Sequence, residues 1–230
     1  MFHFTRFSVR HDRCAVKVGT DALLLGGWAD FSGAQRILDI GTGCGVLALI
    51  AAQRNTAALI DAVDVDDDAV AQAAENFAHS PWPDRLRAHR IDVRRMRTPH
   101  RYDLIICNPP YYDGGMASPD ERRAVARHAG SLTLVELLSA AAGLMSENGR
   151  LSLILPCTRE KDLVAAARTC GLPFRKRCEV RYGDGRAPKR LLLEAGRLPM
   201  QVMDEAIAVA GEDGIPTADY RRLLSEVKGL

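Results

Sequence analysis

The sequence predicts an α/β fold: a seven-stranded, mostly parallel sheet with helices on both faces and a terminal antiparallel strand. Three observations predict it. Short apolar runs alternate with stretches of helical composition, the pattern of strand–helix–strand units. Residues able to do chemistry fall at the carboxyl ends of those runs, where open α/β sheets hold their ligands. The chain, with 230 residues of which 47% are hydrophobic, is long enough to bury the core of one α/β domain.

Taken in order, KVGTDALLLGGW reads as a first helix with Thr20 as N-cap and Asp21 in the first turn, where acids suit the helix dipole. RILDI (36–40) is a β-rich run ending in GTGCG, and VLALIAAQR after it is a buried helix. LIDAVDV (59–65) is the second strand. DDAVAQAAENFAHS follows as a helix capped by Asp66 or Asp67. LRAHRIDV (86–93) alternates like a half-covered strand, and RYDLIIC (101–107) is fully apolar. Residues 112–130 form a loop or lid rich in Gly, Pro and charge.

Thr133 and Glu136 make a capping box for a helix whose face is Leu134, Leu137, Leu138, Ala141 and Met145, stopped by Gly149. RLSLILP (150–156) is a buried strand, and 159–170 is helical. PFRKRCEVRY and PKRLLLEAGRL form a closing antiparallel pair around GDGRAP. A tail, 204–230, carries the turn GEDG and a last helix near Tyr220 to Val227. With no internal repeat and no linker, residues 1–230 are expected to form a single domain.

Composition narrows the function classes. The formal net charge is only +2, so overall charge does not announce a nucleic-acid binder. Arginines nevertheless cluster at 94, 95, 97 and 101, at 122, 123 and 127, and near 175–181, and guanidinium forks suit phosphates. The competing reading of these clusters is a solvated surface. Six scattered cysteines show no zinc-ligand spacing, so reduced thiols and no metal are expected. The N-terminal stretch lacks a signal-peptide apolar run, and VLALIAA is too short to span a bilayer. A cytoplasmic protein with no membrane contact is expected. So is a monomer with no obligatory protein partner.

The glycine loop Gly41-Thr42-Gly43-Cys44-Gly45 lets the backbone turn tightly and approach a ligand. Alone it is weak evidence, since dinucleotide folds use similar loops. Here the spacing is GxGxG, Val46 stands where a third small residue would be wanted, and Asp39 precedes the loop. An acid is unhelpful beside a pyrophosphate. It suits S-adenosylmethionine (SAM), which has no phosphate and carries an ammonium group and a cationic sulfur. Asp64, with Val65 beside it, ends the second strand and can take both ribose hydroxyls. Asp66 competes for that role but serves as a helix cap, and Asp61 falls mid-strand. Asp92 and the Val93 amide, at the end of the third strand, can meet an adenine edge.

The fourth strand runs into Asn108-Pro109-Pro110-Tyr111. The Asn108 side-chain oxygen and the Pro109 carbonyl form an acceptor pair for the two N–H groups of a planar amine. That pair turns the nitrogen lone pair toward a methyl donor and stabilises the positive charge that develops. Pro110 stiffens the corner, and Tyr111 can stack on a flat base. Tyr112 begins the lid.

In this order, DIGTGCG, VDVD and NPPY resemble the class I SAM-dependent N-methyltransferases with their Rossmann-like sheet. FTRFSVRHDRCAVKVGTDALLLGGWA, SPWPDRL and ARHAGSLTLVELLSAAAGLMSENGRLSLILP further resemble the bacterial tRNA1(Val) adenine-N6 methyltransferases. The likeness runs from about Phe4 to Leu193 and is weaker in the tail. It implies SAM-dependent methylation of N6 of adenosine 37 in a valine tRNA. Carried over by position, it implies SAM contacts at Asp39, Gly41, Gly43, Asp64 and Asp92, and an amine clamp at Asn108 to Tyr111; Gly45, from the same loop, is expected to face the cofactor too. Residues 1–35 would cap the cofactor site, with Lys17 or Thr20 near the methionine carboxylate. Arg127 and His128 would stand at the RNA entrance.

Rival readings share the clamp. A glutamine side-chain amide of a protein such as a release factor fits it, but those enzymes carry a sizeable N-terminal helical domain. Guanine-N2 methylation of rRNA more often uses NPPF. A DNA adenine methyltransferase normally needs a separate target-recognition segment. A SAM-sensing RNA-binding module would need no amine clamp at all.

Overall fold

The computed structural model describes residues 1–14, 17–109 and 132–228. A small antiparallel hairpin, β1 (Phe2–His3) with β2 (Ser8–Val9), opens the chain. Aromatic packing holds it down: the Phe4 and Phe7 rings stack at 4.3 Å, and Phe7 meets Trp82 edge-on at 5.7 Å. Helix α1 (Thr20–Trp28) leads into β3 (Arg36–Ile40), then α2 (Val46–Arg54), β4 (Leu59–Asp64), α3 (Asp67–Ala78), β5 (Leu86–Arg90) and β6 (Tyr102–Cys107). Beyond residue 131 come α4 (Leu134–Leu144), β7 (Met145–Pro156), α5 (Glu160–Cys170), β8 (Phe174–Arg181), β9 (Arg190–Gly196), β10 (Met203–Ala208) and α6 (Ala218–Lys228).

Strands β3 to β10 form one sheet in the order β10-β8-β9-β7-β6-β3-β4-β5. β9 runs antiparallel to both its neighbours, β7 and β8, and every other pairing is parallel. The fold class is the expected one: a mostly parallel sheet between two helical layers. Alternation along each central strand supplies both faces. Ile37, Leu104 and Ile106 enter a core with α1, α2 and α3. Leu38, Ile40, Ile105 and Cys107 enter a second core with α4 and α5.

Three expectations are corrected. The sheet has eight strands rather than seven, because Met203–Ala208, expected as tail, pairs in parallel with β8. This edge strand carries Asp204 and Glu205 and exposes its first four residues, so its hydropathy does not look like a strand. Helix α4 ends at Leu144, five residues before Gly149, and β7 starts directly at Met145. The predicted N-cap Thr20 is instead the first helical residue: Gly19 occupies the cap position, without a side-chain bond. The other caps fall where expected. Asp66 accepts from the Asp68 and Ala69 amides, and Thr133 with Glu136 makes a full capping box.

The terminal segments are tied to the sheet layers. Arg54, at the end of α2, donates to the Gly26, Gly27 and Ala29 carbonyls at 2.8–2.9 Å and so closes the end of α1. Gln53 Nε2 donates to the Val227 carbonyl at 2.8 Å, fastening α6 to α2. Among the described residues, no helix is long and apolar enough to cross a membrane.

Candidate active site

Register alone brings the predicted residues together. Ile40 pairs with Val63 on one side and with Cys107 on the other, while Asp64 pairs with Arg90. The residues that leave the sheet at its carboxyl edge, Asp64, Gly41 and Asn108, therefore stand side by side, about one strand spacing (~4.8 Å) apart. Asn108 is half-buried and Pro109 buried.

The glycine loop is hung on the end of β4. The Gly41 and Thr42 amides both donate to the Val63 carbonyl, at 2.9 and 3.1 Å. Asp64 Oδ2 accepts the Gly43 amide at 2.9 Å, and its Oδ1 accepts the Val65 and Asp66 amides at 2.8 and 3.1 Å. One carboxylate thus braces the loop and its own turn. Gly41 and Gly43 have φ of +71° and +53°, and a Cβ on either would meet nothing within 4 Å. The loop is an open cradle that only glycine shapes without strain. Gly45, at φ +83°, is different: its Cβ would lie 2.5 Å from the Phe77 ring. It lets α2 start against α3 rather than facing open space.

Asp39 lies beneath the loop and is 1% exposed. Thr42 Oγ1 donates to its Oδ2 at 2.6 Å. The Ala48 backbone approaches the carboxylate, but Oδ1 completes no hydrogen bond. Burial, opposed by the Thr42 bond, pushes its carboxyl up to about 7.

The N-terminal segment straps this loop from outside. Asn76 of α3 is buried; its Nδ2 donates to the Arg10 and Cys44 carbonyls at 2.8 Å each, and its Oδ1 accepts the Arg10 amide at 2.9 Å. Gln72, one turn earlier, accepts the Arg13 amide at 3.0 Å. Contact with Cys44, together with burial, raises the Cys14 thiol above its ordinary range, so it stays neutral. Helix α1 reaches the same edge: Asp21 Oδ2 accepts from Arg190 Nε at 2.8 Å, and Arg190 pairs with Pro156 at the carboxyl end of β7.

A family profile described as methyltransferase small domain matches residues 14–158, the span that holds every feature just described except Arg10, Arg13 and Arg190. The chain belongs to the methyltransferase small domain family.

Curated relatives cover nearly all of this methyltransferase. A protein of Tolumonas auensis is 45% identical over 226 residues, 98% of this chain and 95% of the relative. One of Citrobacter koseri is 42% identical over 96% of this chain and 92% of its own length. One of Parabacteroides distasonis is 41% identical over 86% and 84%. Each is named tRNA1(Val) (adenine(37)-N6)-methyltransferase. Among solved structures, a predicted O-methyltransferase of Agrobacterium tumefaciens matches with a TM-score of 0.69 at 19% identity, over 90% of this chain and 97% of that one. A ribosomal protein L11 methylase of Lactobacillus delbrueckii matches with 0.54 at 17% identity, over 77% of each. These two speak for the class I, Rossmann-like methyltransferase fold.

SAM is the methyl donor of this methyltransferase, and the residues present fit it. The buried, half-satisfied Asp39 carboxylate suits an ammonium group, and the Gly41–Gly43 cradle leaves room for a ligand where side chains would stand. Among the described residues, no group of three or more His, Cys, Asp or Glu side chains converges as a metal site would need.

Other predicted positions are placed less simply. Asp92 lies two residues past β5 and caps a 3-10 turn, its Oδ1 accepting the Arg94 amide at 3.0 Å. Both its oxygens also accept from the Arg94 guanidinium, at 2.7–3.0 Å, which holds its carboxyl below the usual range. Arg94 in turn reaches Glu136 at 3.2 Å. Val93 is buried in the core, Val65 is exposed at the turn, and Lys17 is exposed. Pro110, Tyr111, Tyr112, Arg127, His128 and the 112–130 segment lie outside the described residues. Asn76 and Gln72 were not singled out from the sequence. Their signal was there: two amides spaced i, i+4 on the buried face of α3, among Ala69, Ala73 and Phe77.

Proposed function

We propose that this enzyme transfers a methyl group from SAM to the exocyclic N6 of adenosine in tRNA, at position 37 of a valine tRNA. The observation that carries the chemistry is the register of β3 against β6, which sets Asn108 beside the glycine loop. The substrate rests on the names of relatives that are 41–45% identical over 86–98% of the chain.

When bound, SAM supplies an electrophilic methyl group on a cationic sulfur. The roles of the chain's own residues follow from their chemistry. Asp39 receives the ammonium end, Gly41 and Gly43 give the backbone clearance, and Asp64 takes the ribose hydroxyls. The Asn108 amide oxygen and the Pro109 carbonyl accept the two N–H groups of the adenine amine. That pairing orients the nitrogen lone pair and stabilises charge developing on nitrogen, an effect worth roughly 3 kcal/mol per well-placed group. Tyr111 stacks on the base, contributing on the order of 1–3 kcal/mol. No general base is needed before attack, because the proton leaves once the nitrogen has become acidic.

The test uses purified protein, labelled SAM and a panel of tRNA, rRNA, DNA and release-factor protein. Label is expected on tRNA from a strain lacking the modification, recovered as N6-methyladenosine near the anticodon. Label confined to protein or to rRNA guanine would overturn the assignment.

A further inference from the structure

A groove of about 600 Å³ opens between the segment after β5 and helix α4. One wall is Arg94, Arg97, Thr98 and Arg101; the other is Glu136 and Ser139, with Gly143 further along. It starts where Arg94 meets Glu136 in the first turn of α4, beside the edge from which Asn108 emerges, and continues along the helix to Leu144. Eight residues at 1.5 Å each make this run ~12 Å, longer than the reach of a single phosphate group.

The groove's charges are not evenly matched. Its one carboxylate, Glu136, is engaged by Arg94 and by the capping box. Arg97 and Arg101 have no carboxylate partner among the described residues. Among these residues each guanidinium donates to the carbonyl of the preceding residue alone, at 2.9 and 3.3 Å. Ser139 adds a hydroxyl to the helix wall, and Thr98, whose oxygen accepts the His100 amide at 3.2 Å, adds one to the other. Gly143 is exposed, and a Cβ there would meet nothing within 4 Å, so the far end is open where another helical residue would narrow it. Glycine there costs the helix about 1 kcal/mol relative to alanine. Near the same end, the Arg197 guanidinium donates to the Ala142 carbonyl.

We infer that this groove is the track for the phosphate backbone of the tRNA, with Arg97 and Arg101 as its phosphate contacts. The inference rests on the tRNA reading above and adds to it a surface outside the cofactor and amine sites. Guanidiniums without a carboxylate partner among the described residues, facing an open, hydroxyl-lined channel, are the arrangement phosphate oxygens seek. The channel's upper end lies at the sheet edge that would hold the target base, so a strand entering the site can continue along it.

The test compares wild type, the double variant Arg97→Glu/Arg101→Glu, and Gly143→Phe, which blocks the channel without altering charge. Full-length protein is used, with tRNA affinity read by fluorescence anisotropy across a salt series and methylation read separately. For the charge variant, tRNA affinity is expected to fall about tenfold or more at moderate salt. The slope of log K against log salt should become shallower by about 1 to 2. Gly143→Phe should weaken binding with less change in slope. SAM affinity and melting temperature, measured as folding controls, should stay at wild-type values in both. If wild type binds and methylates tRNA while both variants bind it equally well, the track is wrong and the enzyme assignment stands. If wild type binds tRNA through Arg97 and Arg101 but methylates another substrate, the track stands and the assignment falls. If wild type does not bind tRNA, both fall.

Discussion

Asp64 Oδ2 accepts the Gly43 amide at 2.9 Å across 21 residues of sequence. The same carboxylate holds the Val65 and Asp66 amides, so its charge orders both the glycine loop and the turn after β4. Asp64→Asn puts an amide NH2 against one of these donors. Losing charge-assisted bonds of this kind costs roughly 1–3 kcal/mol. SAM affinity measured by calorimetry should fall at least about tenfold, and urea unfolding should show a loss of about 2 kcal/mol. Wild-type SAM affinity in this variant would remove Asp64 from the cofactor site.

Asp39 gives a pH signature. Its carboxyl is pushed from 3.8 up to about 7 by burial, so between those values the folded protein binds a proton that the unfolded chain has released. Stability of the SAM-free protein must therefore fall as pH rises through this window. At 1.36 kcal/mol per pKa unit, the decline between about pH 5 and pH 8 is about 3 kcal/mol. Asp39→Asn, which keeps an acceptor for Thr42, should remove that decline. Denaturant melts of both proteins across the range check it, and parallel pH profiles would show that Asp39 ionises normally.

A substitution at Asn108 should separate binding from chemistry. Asn108→Ala should leave SAM affinity within about threefold of wild type. Turnover should drop by about 100- to 1,000-fold, the scale for losing one group that stabilises developing charge. Loss of SAM affinity instead would make Asn108 a cofactor residue rather than part of the amine clamp.

Gly45 tests the packing beneath the cofactor loop. Gly45→Ala adds a Cβ at φ +83° and 2.5 Å from the Phe77 ring. Left-handed strain and overpacking together should cost about 2–4 kcal/mol in a denaturant melt. Combined with Phe77→Leu, the loss should be smaller than the sum of the two single losses, because the overlap is shared. Strict additivity would show that the ring is not the obstacle.

The features legible in the sequence are those set by near neighbours. Strands β3, β4 and β6 were visible because strands covered on both faces are dominated by apolar residues, broken here only by single acids such as Asp39, Asp61 and Asp103. The capping box of Thr133 and Glu136 and the cap at Asp66 were visible because their partners lie within three residues. Thr20 misled for the same local reason: a good capping residue was present, yet the chain entered the helix one residue earlier, at Gly19. Strand β10 was hidden because an exposed edge strand needs little apolar content once β8 supplies its hydrogen bonds.

The sequence by itself determined the α/β class, the order of the central strands along the chain, and the residues on offer: an acid-flanked glycine loop and an Asn-Pro-Pro-Tyr run after the fourth strand. Tertiary structure decided which partner each of these groups meets. It committed Asp92 to Arg94, and Asp64 to three backbone amides. It turned Asn76 from a helical amide into the tie between the N-terminal strap and the loop, and set Arg97 and Arg101 along one wall of a groove. The physical reason is that propensity and hydrophobic period act over a few residues. A carboxylate, an amide or a guanidinium is satisfied by whatever partner the folded chain brings within about 3 Å.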